Sequence, residues 1–87
     1  MIFSINYDLR QPGRDYESLH SEIKALGEWW HYLESCWLLH TSVDAGVISD
    51  RLRSKIDPND RLLVINVGKS YDGWLPQDAW AWIRSRV

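Results

Sequence analysis

Glu28-Trp29-Trp30-His31-Tyr32-Leu33-Glu34-Ser35-Cys36-Trp37-Leu38-Leu39-His40-Thr41 is the stretch on which the fold turns. Read as one helix, it would make the protein largely helical. Its aromatic density, the adjacent Trp29-Trp30 pair and the single polar break at Glu34-Ser35 instead favour two strands joined by a tight turn. A central hairpin organises everything on either side of it.

Upstream, Ile2 to Tyr7 alternates, with Phe3, Ile5 and Tyr7 on one face and Ser4, Asn6 and Asp8 on the other. Gln11-Pro12-Gly13 makes a turn. Asp15 is placed to cap a helix carrying Tyr16, Leu19, Ile23 and Leu26, which Gly27 would end. Downstream, Thr41 or Ser42 is the expected cap of a second helix whose apolar positions are Ile48, Leu52 and Ile56. Asp57-Pro58-Asn59-Asp60 stops it. Leu62-Leu63-Val64-Ile65 is a continuous apolar strand, which belongs in a sheet interior or against a partner. After Gly68, Pro76 suits the first turn of a short terminal helix with Trp80, Ile83 and Val87 on one stripe, placed to cover the open face or an edge of the sheet.

The order strand, helix, strand, strand, helix, strand is that of an α+β, ferredoxin-like βαββαβ sandwich with a short C-terminal helix. No linker, repeat or low-complexity run divides it. One domain is expected over residues 1–87, with a core of about 1–68 and a Trp-rich extension of about 69–87.

The chain has 87 residues, ten Lys and Arg against twelve Asp and Glu, one cysteine, and six tryptophans against one phenylalanine. No apolar run reaches the ~18 residues that span a bilayer, so no membrane partner is expected. Nor does the N-terminus carry a basic leader, and the lone Cys36 cannot form an intrachain disulfide, so the expected location is cytoplasmic. A net charge of -2 gives the whole molecule no strong pull on phosphate. Nucleic-acid binding therefore needs a local basic patch, from Arg10 and Arg14, from Arg51, Arg53 and Lys55, or from Arg84 and Arg86; each cluster alone reads as solvated surface. Six large rings exceed what one thin core holds. Trp29, Trp30 and Trp37 suit either base stacking or a dry interface. The consensus of RNA-recognition modules is absent from Cys36 to Thr41, which favours core and interface.

Several features, in order and spacing, resemble the small CRISPR-associated proteins of the second type, the lesser subunit of the spacer-acquisition complex. They are Tyr7-Asp8 closing the first strand, Arg10 and Arg14 after it, Gly27, Ser35-Cys36-Trp37, and Ile56-Asp57-Pro58 before the last core strand. Pro12-Gly13, the block from Gly27 to Trp37 and the Trp-rich end from Trp74 to Trp82 resemble more closely a short bacterial group labelled SinR family; VapD-type toxins are more distant. The resemblance implies a homodimer in which Asp8 of each copy faces the other and holds Mg or Mn, with Asp8 the catalytic and metal-binding residue of an endonuclease. Arg10 and Arg14 would hold the nucleic-acid backbone. A magnesium ion is commonly held by one or two carboxylates with waters and phosphates, and a two-fold axis would supply the second carboxylate. The alternative for Asp8 is to organise the turn that follows it, and for Glu34 to be a solvated turn residue.

His20, His31 and His40 show no metal-ligand spacing and read as structural or surface residues, with His40 expected far from Asp8. Three functional classes follow. The first is a homodimeric structural or nucleic-acid-associated protein whose interface uses Trp29, Trp30, Trp37 and Trp80. The second is a metal-dependent endonuclease or VapD-like toxin using Asp8. The third is a protein-binding module acting through a Trp-rich surface.

Overall fold

A computed structural model describes residues 1–10 and 16–87. It contains β1 (Ile2–Asp8), α1 (Glu17–Ala25), β2 (Glu28–Leu33), β3 (Cys36–His40), α2 (Ala45–Arg53), β4 (Arg61–Val67) and α3 (Gln77–Arg86). The four strands form one antiparallel sheet in the order β2-β3-β1-β4. The turn at Pro12-Gly13, the cap expected at Asp15 and the side chain of Arg14 fall outside the described residues.

The stretch from Glu28 to His40 is the hairpin that its polar break implied. Trp29 pairs with Leu39 and Trp30 with Leu38, but nearer the turn Leu33 pairs with Cys36, so the register slips by one residue between Trp30 and Leu33. Two residues of β2, His31 and Tyr32, thus oppose Trp37 alone. This bulge flips the end of β2, turning Leu33 to the same face as Trp30 and leaving His31 against the ring of Trp37.

One face of the sheet carries Phe3, Ile5, Trp37 and Leu39. Against it pack Leu19 and Ile23 of α1 and Ile48 and Leu52 of α2, all essentially removed from solvent. Spacings of four residues put each helical pair on one stripe. The opposite face is half covered. Ala79 and Ile83 of α3 are buried and Trp80 is half-buried, all on the β2 and β3 side, while Val87 remains exposed and leaves the expected stripe. Tyr32 Oη donates to Asp78 Oδ2 (2.9 Å) at the start of α3, and Arg86 Nη2 donates to Glu28 Oε2 (2.9 Å) at its end. From Asp78 to Arg86 a helix rises about 12 Å, and from Glu28 to Tyr32 a strand runs about 13 Å. The helix therefore lies antiparallel along β2, pinned at both ends.

Two local expectations need correction and a third is narrowed to one of its alternatives. The α2 cap is Asp44, whose Oδ1 accepts from Val47 N at 3.0 Å, because the chain bends at Ser42 and Val43 and the helix begins only after the extended Asp44. Gly27 does not end α1 through a left-handed conformation. It is required because a Cβ there would collide with the carbonyl oxygen of His40 where β2 and β3 meet. The apolar run in β4 is not in the sheet interior. It forms an edge strand that packs Leu62 and Val64 on the core while Leu63 and Ile65 stay 55% and 49% exposed on the other face.

Among the described residues, no helix is long and apolar enough to cross a membrane.

Candidate functional site

Asp8 ends β1 directly opposite Arg61 of β4, with both side chains on the open face of the sheet. Its Oδ2 accepts from Arg10 Nε (3.1 Å) and Nη2 (2.8 Å), a fork in which both partners remain more than half exposed. Asn6, Tyr7, Asp8, Arg61, Leu62 and Leu63 line a shallow depression of about 260 Å³ beside it. One carboxylate and two guanidinium-bearing residues thus share the end of the sheet. Both bonds from Arg10 fall on the same carboxylate oxygen, Oδ2. Among the described residues no three His, Cys, Asp or Glu side chains cluster as metal ligands.

The turn-organising role that Asp8 was a candidate for belongs to Asp60. This carboxylate is only 7% exposed and accepts from the backbone amide of Arg10 (2.7 Å), the hydroxyl of Tyr16 (2.8 Å) and the backbone amide of Asp57 (2.9 Å). It ties the end of β1, the start of α1 and the turn before β4 together, and by holding the Arg10 backbone it positions the Asp8 partner. Its neighbours Pro58 and Asn59 marked a turn, but nothing in the local sequence signalled that three separate segments converge on it.

The tryptophans divide by environment. Trp37 (2% exposed) lies in the core under α1, and Trp30 (4%) lies under α3, leaving both little surface to offer a partner. Trp30 lines a mostly apolar cavity of about 210 Å³ with Cys36, Leu38, Trp80 and Ile83, and its Nε1 has no hydrogen-bond partner among the described residues. Trp29 is exposed, with Lys24 Nζ 4.8 Å from its ring centre, and Trp74 is 99% exposed.

Sequence spacing separated the histidines, but the fold brings two of them together. His31 stacks on Trp37 with ring centres 3.8 Å apart, and His20 lies 5.4 Å from Trp37 and 6.1 Å from His31. Tyr7 joins them, accepting from Trp37 Nε1 at 2.9 Å, and burial pushes its hydroxyl above the usual tyrosine value despite that bond. His40 sits at the opposite end of the sheet, opposite Ile2, where its Nδ1 meets Glu28 at 3.1 Å.

Compared with family models, curated proteins and solved structures, the chain matches none.

Proposed function

We propose that this chain is a ferredoxin-like, homodimeric protein with a structural or nucleic-acid-associated role, related to the CRISPR-associated family of the second type. The strand order β2-β3-β1-β4 with α1 and α2 on one face supports the ferredoxin-like reading. The observation that carries the dimer is β4. It is an edge strand whose outer backbone edge pairs with no other strand among the described residues, and it exposes Leu63 and Ile65 on the half of the face that α3 leaves bare. Arg10 and Arg61 at that end of the sheet are the described cations that would meet a phosphate backbone in such a dimer, and Arg14 is the further cation that the family resemblance implies. Sedimentation analysis is expected to give a dimer at micromolar concentration; a strict monomer at high micromolar concentration overturns the proposal.

A second reading, a Mg- or Mn-dependent endonuclease using Asp8, is favoured by one specific observation. Asp60 holds the turn, so the Asp8 carboxylate is left exposed at the strand end. In that reading Asp8 of each copy would help to hold the ion, which would supply Lewis-acid chemistry toward a scissile phosphate. Cleavage of RNA or DNA should require the metal and vanish in Asp8→Asn with the fold intact. Cleavage that persists in that variant rejects it.

A further inference from the structure

The half of the sheet that α3 covers is not filled. Beneath the helix lies the mostly apolar cavity of about 210 Å³ whose walls include Trp30, Leu38, Trp80 and Ile83. An apolar cavity of about 150 Å³ already admits benzene. This one therefore has room for a single ring with a short substituent. Tyr71 and Asp72, on the chain leading into α3, border the cavity and are themselves exposed, so it opens toward solvent on that side.

Trp30 sets the polarity of what fits. The residue is almost wholly buried, and among the described residues no group accepts from its Nε1. A buried N–H without a partner has given up its hydrogen bond to water for nothing, so an acceptor brought to it recovers that loss. The other polar groups at the cavity are already engaged. Ser4 Oγ accepts from Asn6 Nδ2 (2.9 Å) and lies 3.6 Å from Cys36 Sγ, and Asp72 Oδ1 accepts from the Gly73 amide (2.8 Å). A buried water wants about two to four polar partners, more than these walls leave open.

We propose that the cavity under α3 binds a small, uncharged aromatic carbonyl compound, with its ring against the apolar walls and its carbonyl oxygen accepting from Trp30 Nε1. Charge narrows the class. No Lys, Arg or His is among the described residues that border the cavity, and Asp72 is, so a carboxylate or phosphate would be desolvated there beside a like charge. An ammonium ion would bring no acceptor to Trp30. A neutral carbonyl meets both conditions, and the three aromatic side chains Trp30, Tyr71 and Trp80 favour a ring over an aliphatic chain. The site uses none of Asp8, Arg10, Leu63 and Ile65, and so stands apart from the readings above.

The test is titration of the full, untagged chain with acetophenone and with α-methylstyrene, which has the same size and shape but a CH2 group in place of the carbonyl oxygen. One acetophenone should bind saturably per chain, and the Trp30 indole N–H resonance should move downfield. Trp30→Phe keeps a ring and removes the N–H. It should lower the affinity for acetophenone relative to α-methylstyrene by about tenfold, whereas Trp29→Phe should leave that ratio unchanged. An unchanged ratio in a folded Trp30→Phe chain, or the absence of saturable binding, overturns the site. Should Trp30→Phe unfold, the wild type answers alone. Saturating acetophenone must shift the Trp30 indole together with the methyl resonances of Leu38 and Ile83, and shifts confined to the exposed Trp29 and Trp74 reject the proposal.

Discussion

Asp60 is the residue on which most of the local architecture depends. A carboxylate there takes the Arg10 amide on one oxygen and the Tyr16 hydroxyl and Asp57 amide on the other. Asparagine has only one acceptor oxygen and turns an NH2 group toward groups that also donate. Asp60→Asn should therefore destabilise the fold by about 2–4 kcal/mol, readable as a lowered denaturation midpoint in urea with unchanged slope. A loss below about 0.5 kcal/mol would show that the three donors are satisfied without it. This contact also explains what residue-level sequence reading saw and missed. Asp8 was visible because it ends an alternating strand. Asp60 was hidden because its partners are far apart in sequence, and a turn aspartate whose side chain points inward looks the same as one that points out. The Tyr7, His20 and His31 cluster was hidden for the same reason: helix and strand residues have no common spacing until the sheet is assembled.

At the scale of elements, the strands and helices were legible because each has its own period and a clear break, whereas their edges and partners were not. The bulge in β2 leaves no compositional mark, yet it decides that Leu33 and Trp30 share a face and that His31 meets Trp37. Helix α3 was legible as a cover, but its two pins were not, and they titrate in opposite directions. The Arg86 guanidinium, with His40 second, holds the Glu28 carboxyl below its usual value of 4.5. The stabilisation that Glu28 lends is therefore present above the ordinary carboxylate range and is lost as pH falls through the lowered folded value. The hydrogen bond to Asp78 holds the Tyr32 hydroxyl above its usual 10.0, so its contribution is present below pH 10.0 and is lost as pH rises through the raised value. Acid should thus loosen the C-terminal end of α3 and alkali its N-terminal end. The indole NMR signals of Trp80 and Trp82 report both. Glu28→Gln should abolish the acid transition alone and Tyr32→Phe the alkaline one alone, and a transition that survives its own variant refutes that pin.

At the scale of the whole molecule, the question is why a chain of 87 residues leaves apolar side chains on an edge that pairs with no further strand among the described residues, when α3 already covers the rest of that face. Edge strands are commonly guarded by charge, proline or a bulge. β4 has Arg61 at its start, but Leu63 and Ile65 stand on its open face without such a guard, and it shows no register break against β1. A second copy placed over this strand would remove both side chains from water and bring two Asp8 sites to one seam. That arrangement makes a prediction that separates assembly from folding. Leu63→Lys with Ile65→Lys alters residues that are exposed in the single chain, so the chain's own stability should change by no more than about 0.5 kcal/mol per site. Dimerisation, in contrast, should be abolished, because two like charges from each copy would face each other across a desolvated seam. Sedimentation of the double variant as a folded monomer, with the wild type sedimenting as a dimer, supports β4 as the interface. If the variant still dimerises, the seam lies elsewhere, and the proposed metal reading of Asp8 loses the partner carboxylate it requires.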